Sequence, residues 1–326
     1  MKKYNWSIIG SGWIAGEMAD ALQAVNGEIY AVSARNQTKL KQFAQAKGIK
    51  KVFADPLDMI NDPQTDVVYI ATPHITHYQF IKAALAAGKH VFCEKAITIN
   101  DQQFNEVEEL ARQKHLLLTE GFTLFHMPLY QQVQTLIKAG NLGKIKMIQV
   151  NFGSLKAYDP HNRFFDPQLA GGALLDIGGY AAAFARLFLS QQPNNLLTTV
   201  DFADSGVDEQ SGIILKNSAG QLAVISLSFR AKQPKRGVVS GTKGFLEINN
   251  FPRATTAQVT YTADAHQQQQ QAITVGDEQR ALEYEVEDFQ RYLTQGHDDG
   301  QLALSHDIAQ ILSSVRTAWG LKFPGE

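Results

Sequence analysis

The first 120 residues alternate short apolar runs with longer amphipathic ones, and this alternation constrains the fold more than any other feature of the chain. "WSIIG" (6–10), "EIYAVSA" (28–34), "VVYIAT" (67–72), "HVFCEK" (90–95) and "LLLTE" (116–120) are short, apolar and rich in β-branched or aromatic residues, and they read as buried strands. Between them lie "AGEMADALQAV", "NQTKLKQFAQAKG", "HYQFIKAALAAGK" and "NDQQFNEVEELARQKH", which have helical periodicity and polar outer faces. Strands separated by helices need crossover connections, so the expectation is a parallel sheet wrapped by helices.

The pattern changes after residue 121. A helix around 127–140 stops at Gly140, the strand "KIKMIQVNFGS" (144–154) follows, and an irregular aromatic and proline-containing stretch leads into "AGGALLDIGGYAAAFARLF" (170–188). From 196 to 275 the reading is nearly all strand: "LLTTVDFA", "SGIILKN", "QLAVISLSFRA", "GVVSGTKGFLEINN" and "TAQVTYTA", separated by Gly, Asn and Asp. Strands joined by short turns predict an antiparallel sheet, so this half is α+β. The glutamine run 267–271 is read as a solvated loop, and two helices, 279–295 and 304–319, close the chain.

Length and composition agree with two domains. The chain has 326 residues, 44% of them apolar and 19% charged, which suits a globular protein with a real core. A net charge of −2 gives no electrostatic reason to expect nucleic acid or an anionic membrane as a partner. Cys93 is the only cysteine, so no intramolecular disulfide forms. The start, "MKKYNWSIIGSGWIAG", is interrupted by polar residues and glycines, and no stretch approaches the ~20 apolar residues that span a bilayer. A cytoplasmic protein is expected.

Immediately after the first strand, "GSGWIA" places Gly10, Gly12 and Ala15 in a G-x-G-x-x-A pattern that opens a helix. Gly10 suits the tight turn, Gly12 lets backbone approach a pyrophosphate at the helix N-terminus, and Ala15 permits close packing of helix on strand. Trp13 and Ile14 begin that helix and are expected beside the cofactor. At the end of the second strand, where an acid would bind an adenosine ribose, stand Ser33, Ala34, Arg35 and Asn36. An arginine there pairs with a 2′-phosphate, which predicts preference for NADP over NAD.

Lys95 directly follows an apolar strand, so it should project into the crevice at the carboxyl edge of the sheet. Taken together, "GSGWIAG", "SARN", "ATPHITH", "AGKHVFCEKA", "GKI" and "GGALLDIGGY" resemble the Gfo/Idh/MocA family of glucose–fructose oxidoreductase, inositol dehydrogenase and their relatives, over essentially the whole chain. The resemblance implies an N-terminal Rossmann domain over 1–121 and a C-terminal α+β domain over 122–326 with a large, mainly antiparallel open sheet. Glu94 and Lys95 match the family's Glu-Lys-Pro motif, whose lysine reaches the reacting oxygen. Thr72, Pro73 and His74 match its Thr-Pro-Asn cofactor loop, and His77 matches a histidine at the next helix start, serving either as a ligand contact or as a helix-end hydrogen bond. His74 and His77 carry no zinc pattern. Where the family has proline after the lysine, this chain has Ala96. Because a non-proline cis bond costs ~2.5–4 kcal/mol, a trans bond is expected, with the lysine held by packing.

In this family the segment 171–180 is the catalytic helix, and Asp176 and Tyr180 share its face at i and i+4. Inositol dehydrogenase-like members carry His where this chain has Tyr180. The tyrosine resembles glucose–fructose oxidoreductase and dimeric dihydrodiol dehydrogenase, which also tend to lack the acid at the second strand end. Oxidising a carbinol requires loss of the hydroxyl proton as hydride leaves. A phenol of ordinary pKa ~10 becomes a competent base when an ammonium such as Lys95 stands beside it. Asp176 would bind a substrate hydroxyl or orient the pair. Asn162, Arg163 and Phe164, within "AYDPHNRFFDPQ" (157–168), are expected to line the substrate pocket. The reading is an NADP-dependent oxidoreductase for a sugar or cyclic diol, a homodimer or homotetramer through the second-domain sheet. The alternatives are an inositol-type dehydrogenase and a catalytically silent NADP sensor.

Overall fold

In the computed structural model, which describes residues 3–262 and 268–326, the alternation resolves into eleven elements. They are β1 (Asn5–Ile9), α1 (Trp13–Ala24), β2 (Glu28–Ser33), α2 (Gln37–Ala46), β3 (Lys51–Phe53), α3 (Pro56–Asn61), β4 (Val67–Ile70), α4 (His77–Ala86), β5 (His90–Glu94), α5 (Asp101–Lys114) and β6 (Leu118–Gly121). All six strands pair in parallel, in the order β3-β2-β1-β4-β5-β6. The strand order reverses between β1 and β4, and the crevice beyond the carboxyl ends at such a point is where these sheets take ligands. β4 is buried along its whole length, as a central strand covered on both faces must be. Two elements were not expected. β3 has only three residues, too few for a periodicity, and α3 is a six-residue turn started by Pro56 and capped by the Asp55 carboxylate, which accepts from Leu57 N at 2.8 Å.

The second sheet has eight strands in the order β14-β13-β12-β11-β7-β10-β9-β8. Its elements are α6 (Pro128–Lys138), β7 (Ile145–Gly153), α7 (Gly179–Phe188), β8 (Asn195–Phe202), β9 (Asp208–Lys216), β10 (Leu222–Ser228), β11 (Gln233–Gly241), β12 (Gly244–Asn249), β13 (Thr256–Thr262) and β14 (Gln268–Thr274). Only β7 and β10 pair in parallel. Helix α7 lies on one face. A Cβ at Gly237 in β11 would meet the Phe184 ring at 2.2 Å, so the glycine is what lets helix and strand approach.

Two expectations are corrected. The run "GVVSGTKGFLEINN" is a hairpin of β11 and β12, turning at Thr242 and Lys243. Residues 268–271 of the glutamine run belong to edge strand β14, because strand pairing to β13 uses backbone groups and tolerates exposed amides on both faces. Gln267, like Ala263 at the end of "TAQVTYTA" and residues 1–2, lies outside the described residues. Finally, the chain divides into residues 1–121 with 282–303, and 122–281 with 304–326. Helix α8 (Ala281–Gln295) thus groups almost entirely with the first unit, where Phe289 packs edge-on against Trp6 at 5.2 Å and Phe92 at 5.3 Å. Helix α9 (Gln301–Trp319) packs mainly in the second, where Trp319 donates to Thr198 at 3.0 Å. No helix among the described residues is long and apolar enough to cross a membrane.

Candidate active site

Gly10 ends the first strand at φ +127°, and a Cβ there would lie 2.4 Å from the Ala71 carbonyl oxygen, so only glycine fits. Its N–H donates to Ser33 O at 2.8 Å, which ties the loop to the end of β2. Gly12 occupies the N-cap of α1 with open space where a Cβ would stand, and as a glycine it brings no side chain to cap that helix. A helix N-terminus that backbone alone presents beside open space is where a pyrophosphate is held, so these residues fit a dinucleotide. Trp13 is 72% exposed beside this cradle, and Ile14 is half-buried. At the end of β2, Asn36 caps α2 by accepting from Lys39 N at 3.0 Å, and Gln37 donates to Ala34 O at 2.9 Å. The turn is thereby fixed, and Arg35 projects from it exposed.

The loops after β4 and β5 are tied together by one buried side chain. His77 places Nε2 2.7 Å from Thr72 O and Nδ1 2.8 Å from Ala96 O. Both ring nitrogens therefore face backbone carbonyls, to one of which the neutral ring donates; burial holds the imidazole below its usual pKa, with the Lys95 charge acting in the same direction and the two carbonyls opposing. Thr76 donates to Thr72 Oγ1 and Pro73 O, each at 2.8 Å, which closes the turn that carries the buried His74. The His74 and His77 rings meet edge-on at 5.8 Å. Glu94 is buried, and its Oε1 accepts from the Tyr69 hydroxyl at 2.6 Å. The Lys95–Ala96 peptide is cis, not trans as expected. The next peptide, Ala96–Ile97, is held on both sides: Ala96 O faces His77, and Ile97 N donates to the buried Glu120 Oε1 at 2.9 Å.

In the second unit, the segment carrying Asp176 and Tyr180 is not a regular α-helix. Leu174–Gly178 form a π-helical turn that continues into α7. Two contacts account for the wide turn. The buried Asp208 carboxylate, at the start of β9, accepts from Leu174 N at 2.7 Å, and Gly178 lets the backbone settle on β10, where a Cβ would meet Leu227 Cδ1 at 2.7 Å. Burial pushes the Asp208 pKa up to about 7, against the lowering effect of backbone N–H groups and Arg316. Gly172, at φ +114°, passes so close to Asp208 that a Cβ would lie 2.2 Å from Oδ1. Tyr180 is half-buried, with its hydroxyl 2.9 Å from Thr123 Oγ1 and its ring edge-on to Phe122 at 5.6 Å. Asp176 is 9% exposed, with Oδ1 3.6 Å from the Arg163 guanidinium. That guanidinium also lies 4.2 Å from the Phe164 ring centroid. Asn162 is exposed and spends its side chain on its own turn, accepting from Phe164 N at 3.2 Å.

The structure thus joins Thr72 to His77 and Glu94 to Tyr69 in the first unit, and Arg163 to Asp176 in the second. Four residues that touch these groups were not anticipated: Tyr69, Glu120, Thr123 and Asp208. Glu120 closed a strand run in the sequence, and an acid at such a buried end was a usable signal. The other three are ordinary residue types at unremarkable spacing. Among the described residues, no group of three or more His, Cys, Asp or Glu is placed to hold a metal.

Residues 4–122 match the profile described as the oxidoreductase family, NAD-binding Rossmann fold, and residues 130–247 match the GFO/IDH/MocA C-terminal domain. Trans-1,2-dihydrobenzene-1,2-diol dehydrogenase from Xenopus laevis is 30% identical over 331 residues, covering 98% of this chain and 99% of that one. The enzyme of the same name from Homo sapiens is 28% identical, with 98% of each chain covered. Among solved structures, KijD10, a 3-ketoreductase from Actinomadura kijaniata in complex with NADP and TDP-benzene, superposes with a TM-score of 0.87 at 26% identity, covering 97% of this chain and 98% of that one. Levoglucosan dehydrogenase in complex with NADH and levoglucosan shares the fold, with a TM-score of 0.88 at 19% identity over 99% of this chain and 100% of that one. With family profiles matching both halves and a relative 30% identical over 98% of its length, the chain belongs to the Gfo/Idh/MocA oxidoreductase family.

Proposed function

We propose that the protein is an NADP-dependent oxidoreductase that interconverts a carbinol and a carbonyl on a sugar or cyclic diol, with Tyr180 as acid–base and Lys95 as its electrostatic partner. The observation that carries this reading is the Tyr180 phenol, half-buried and hydrogen-bonded to Thr123 Oγ1 at 2.9 Å, on the segment that the family uses for catalysis. The relatives at 28–30% identity are dehydrogenases of a cyclic vicinal diol, and KijD10 is a ketoreductase holding NADP.

When bound, NADP supplies the nicotinamide that accepts or returns hydride. The rest of the work falls to side chains of this chain. In oxidation, the Tyr180 oxygen takes the proton from the substrate hydroxyl; in reduction it returns that proton to the carbonyl oxygen. Phenolate is disfavoured at neutral pH by its ordinary pKa of ~10, and two groups are assigned to favour it. Thr123 donates a hydrogen bond to the charged oxygen, and the Lys95 ammonium supplies positive charge. Asp176, fixed near Arg163, accepts from a second substrate hydroxyl. Gly10, Gly12, Trp13, Ile14, Thr72, Pro73 and His74 form the cofactor's bed, and Arg35 meets its 2′-phosphate. His77 and Glu94 act indirectly, by holding the two loops on which Thr72 and Lys95 stand.

The outer sheet face supports a homodimer or homotetramer. Leu197, Ile214 and Val224 lie side by side across β8, β9 and β10, with Leu197 64% and Ile214 39% exposed. A row of apolar side chains on an open sheet face is a surface that a second copy covers. The decisive experiment is NADP+ reduction screened over trans-dihydrodiols, aldoses and inositols, with Tyr180→Phe as control. Turnover lost in the variant supports the reading. Tight NADPH binding with no turnover on any member of the panel rejects it in favour of a sensor.

A further inference from the structure

At the carboxyl end of β7 the chain builds a cationic corner whose lysines the proposed hydride chemistry does not use. Two cations stand against one ring: Lys156 Nζ and the Arg163 guanidinium each lie 4.2 Å from the Phe164 centroid. Phe164 in turn packs edge-on against Phe229 at 5.6 Å. On the neighbouring strand, β11 bulges between Gln233 and Arg236, opposite Asn151–Gly153. Asn151 Nδ2 holds the bulge by donating to Pro234 O at 2.5 Å. The bulge turns Lys235 so that its ammonium lies 5.2 Å from the Phe152 centroid.

The corner is rigid. Ser228 Oγ accepts from Arg230 N at 2.9 Å and Ala231 N at 2.8 Å, Lys156 N donates to Phe229 O at 2.8 Å, and a Cβ at Gly153 would meet Ala231 O at 2.5 Å. Arg230 and Arg236 have carboxylate partners in Glu209 and Glu247, whereas among the described residues Lys232 and Lys235 have none within ion-pair distance. Burial, helped by the charges of Lys232, Arg253 and Lys156, holds the Lys235 ammonium below its usual pKa, with the Glu278 carboxylate opposing them. Cations gathered against one another on a half-buried, aromatic-lined corner destabilise the empty protein and favour an anion.

The corner also stands at a defined place relative to the catalytic segment. Gly178, between Asp176 and Tyr180, rests on Leu227 of β10. Leu227 is paired with Phe152 of β7, and Lys235 of β11 lies over Phe152. Lys235 therefore sits two strand spacings, about 10 Å, across the sheet from the start of the catalytic helix. On the loop after β7, Lys156 shares the Phe164 ring with Arg163, whose guanidinium lies 3.6 Å from Asp176, one turn before Tyr180.

Building on the proposed oxidoreductase function, we infer that the corner formed by Lys156, Lys232 and Lys235 binds an anionic group, phosphate or carboxylate, borne by the substrate whose carbinol meets Tyr180. The substrate class is then an acidic or phosphorylated sugar rather than a neutral diol.

The test uses the full-length protein with matched triads: a neutral sugar, its phosphate monoester and its uronic acid. The phosphate and carboxylate members separate the two anion chemistries. Expected is a KM at least tenfold lower for one anionic member than for the neutral one. In Lys156→Gln/Lys235→Gln the anionic-to-neutral ratio of kcat/KM falls at least tenfold, while Lys216→Gln, at the opposite end of the strands, leaves the ratio unchanged. Equal KM values across a triad, or a ratio that the double variant does not move, overturns the inference. Calorimetric titration of a sugar phosphate onto the NADP-loaded protein reads the corner without turnover. Affinity lost in the double variant supports the anion site even if no sugar is oxidised, an outcome that rejects the catalytic reading alone. Equal affinity of wild type and double variant overturns the anion site.

Discussion

Tyr180 and Thr123 meet hydroxyl to hydroxyl at 2.9 Å, with Thr123 98% buried and Tyr180 half-buried. A threonine that donates to a phenolate lowers the phenol's pKa; one that accepts from the neutral phenol does the reverse. Tyr180→Phe removes the only proton carrier assigned, and kcat is expected to fall by 10²–10⁴-fold, with the NADPH dissociation constant changed less than twofold. Thr123→Val is the finer probe. It should lower kcat for alcohol oxidation by about 3–10-fold and move the alkaline-going limb of the pH profile to higher pH, since the phenolate loses its donor. Stopped-flow kcat measured across pH checks both.

Arg35 is the one cation of the β2–α2 turn that the capping bonds of Asn36 and Gln37 leave exposed at the strand end. Arg35→Ala should weaken NADPH binding by about 10–100-fold and leave NADH binding within about twofold, because only the 2′-phosphate meets a guanidinium there. Fluorescence titration of the two dinucleotides measures the ratio directly.

Leu197, Ile214 and Val224 form a continuous apolar row on the outer sheet face. Leu197→Glu should leave the monomer folded, since the side chain is 64% exposed, and should shift the assembly toward monomer. Light scattering during gel filtration gives the mass. Unchanged assembly would place the interface elsewhere.

The Rossmann unit was legible because its signals are local. Gly10 and Gly12 sit directly in the phosphate-loop pattern, and each apolar run of five to seven residues is long enough to show itself. What escaped the sequence depends on partners far along the chain. The π-helical turn at Leu174–Gly178 exists because Asp208, 34 residues from Leu174, caps it and because Leu227 leaves no room for a side chain at Gly178. The glutamines of β14 carry no strand propensity, and their pairing comes from the edge that β13 offers. Phe289 sits in an amphipathic helix whose apolar stripe is plain from its period, but nothing in that period names Trp6 and Phe92 as its neighbours. The same limit applies to the site. Lys95 and Tyr180 stand out by residue type and local context. Glu120, which accepts from Ile97 N, Thr123, which meets the Tyr180 hydroxyl, and Asp208, which accepts from Leu174 N, are brought there by tertiary structure.

Asp208 supplies a pH-dependence of stability whose sign can be worked out. Its pKa is pushed up to about 7 by burial, whereas in the unfolded chain it returns to about 3.9. Between those values the folded protein holds a proton that the unfolded chain has released. Stability contributed by this group is therefore complete below pH ~4 and is lost as pH rises through 7, at up to about 1.4 kcal/mol per pH unit. Asp208→Asn keeps an oxygen that accepts from Leu174 N but carries no titrating proton. The variant's melting temperature, relative to wild type, should therefore rise steadily from pH 4.5 to 7. Gly172→Ala is the control for the same contact: at φ +114°, with a Cβ 2.2 Å from Oδ1, it should destabilise at every pH tested. Thermal melts of the three proteins across that range check the slope, and a difference between Asp208→Asn and wild type that does not vary with pH would show that Asp208 is ionised throughout.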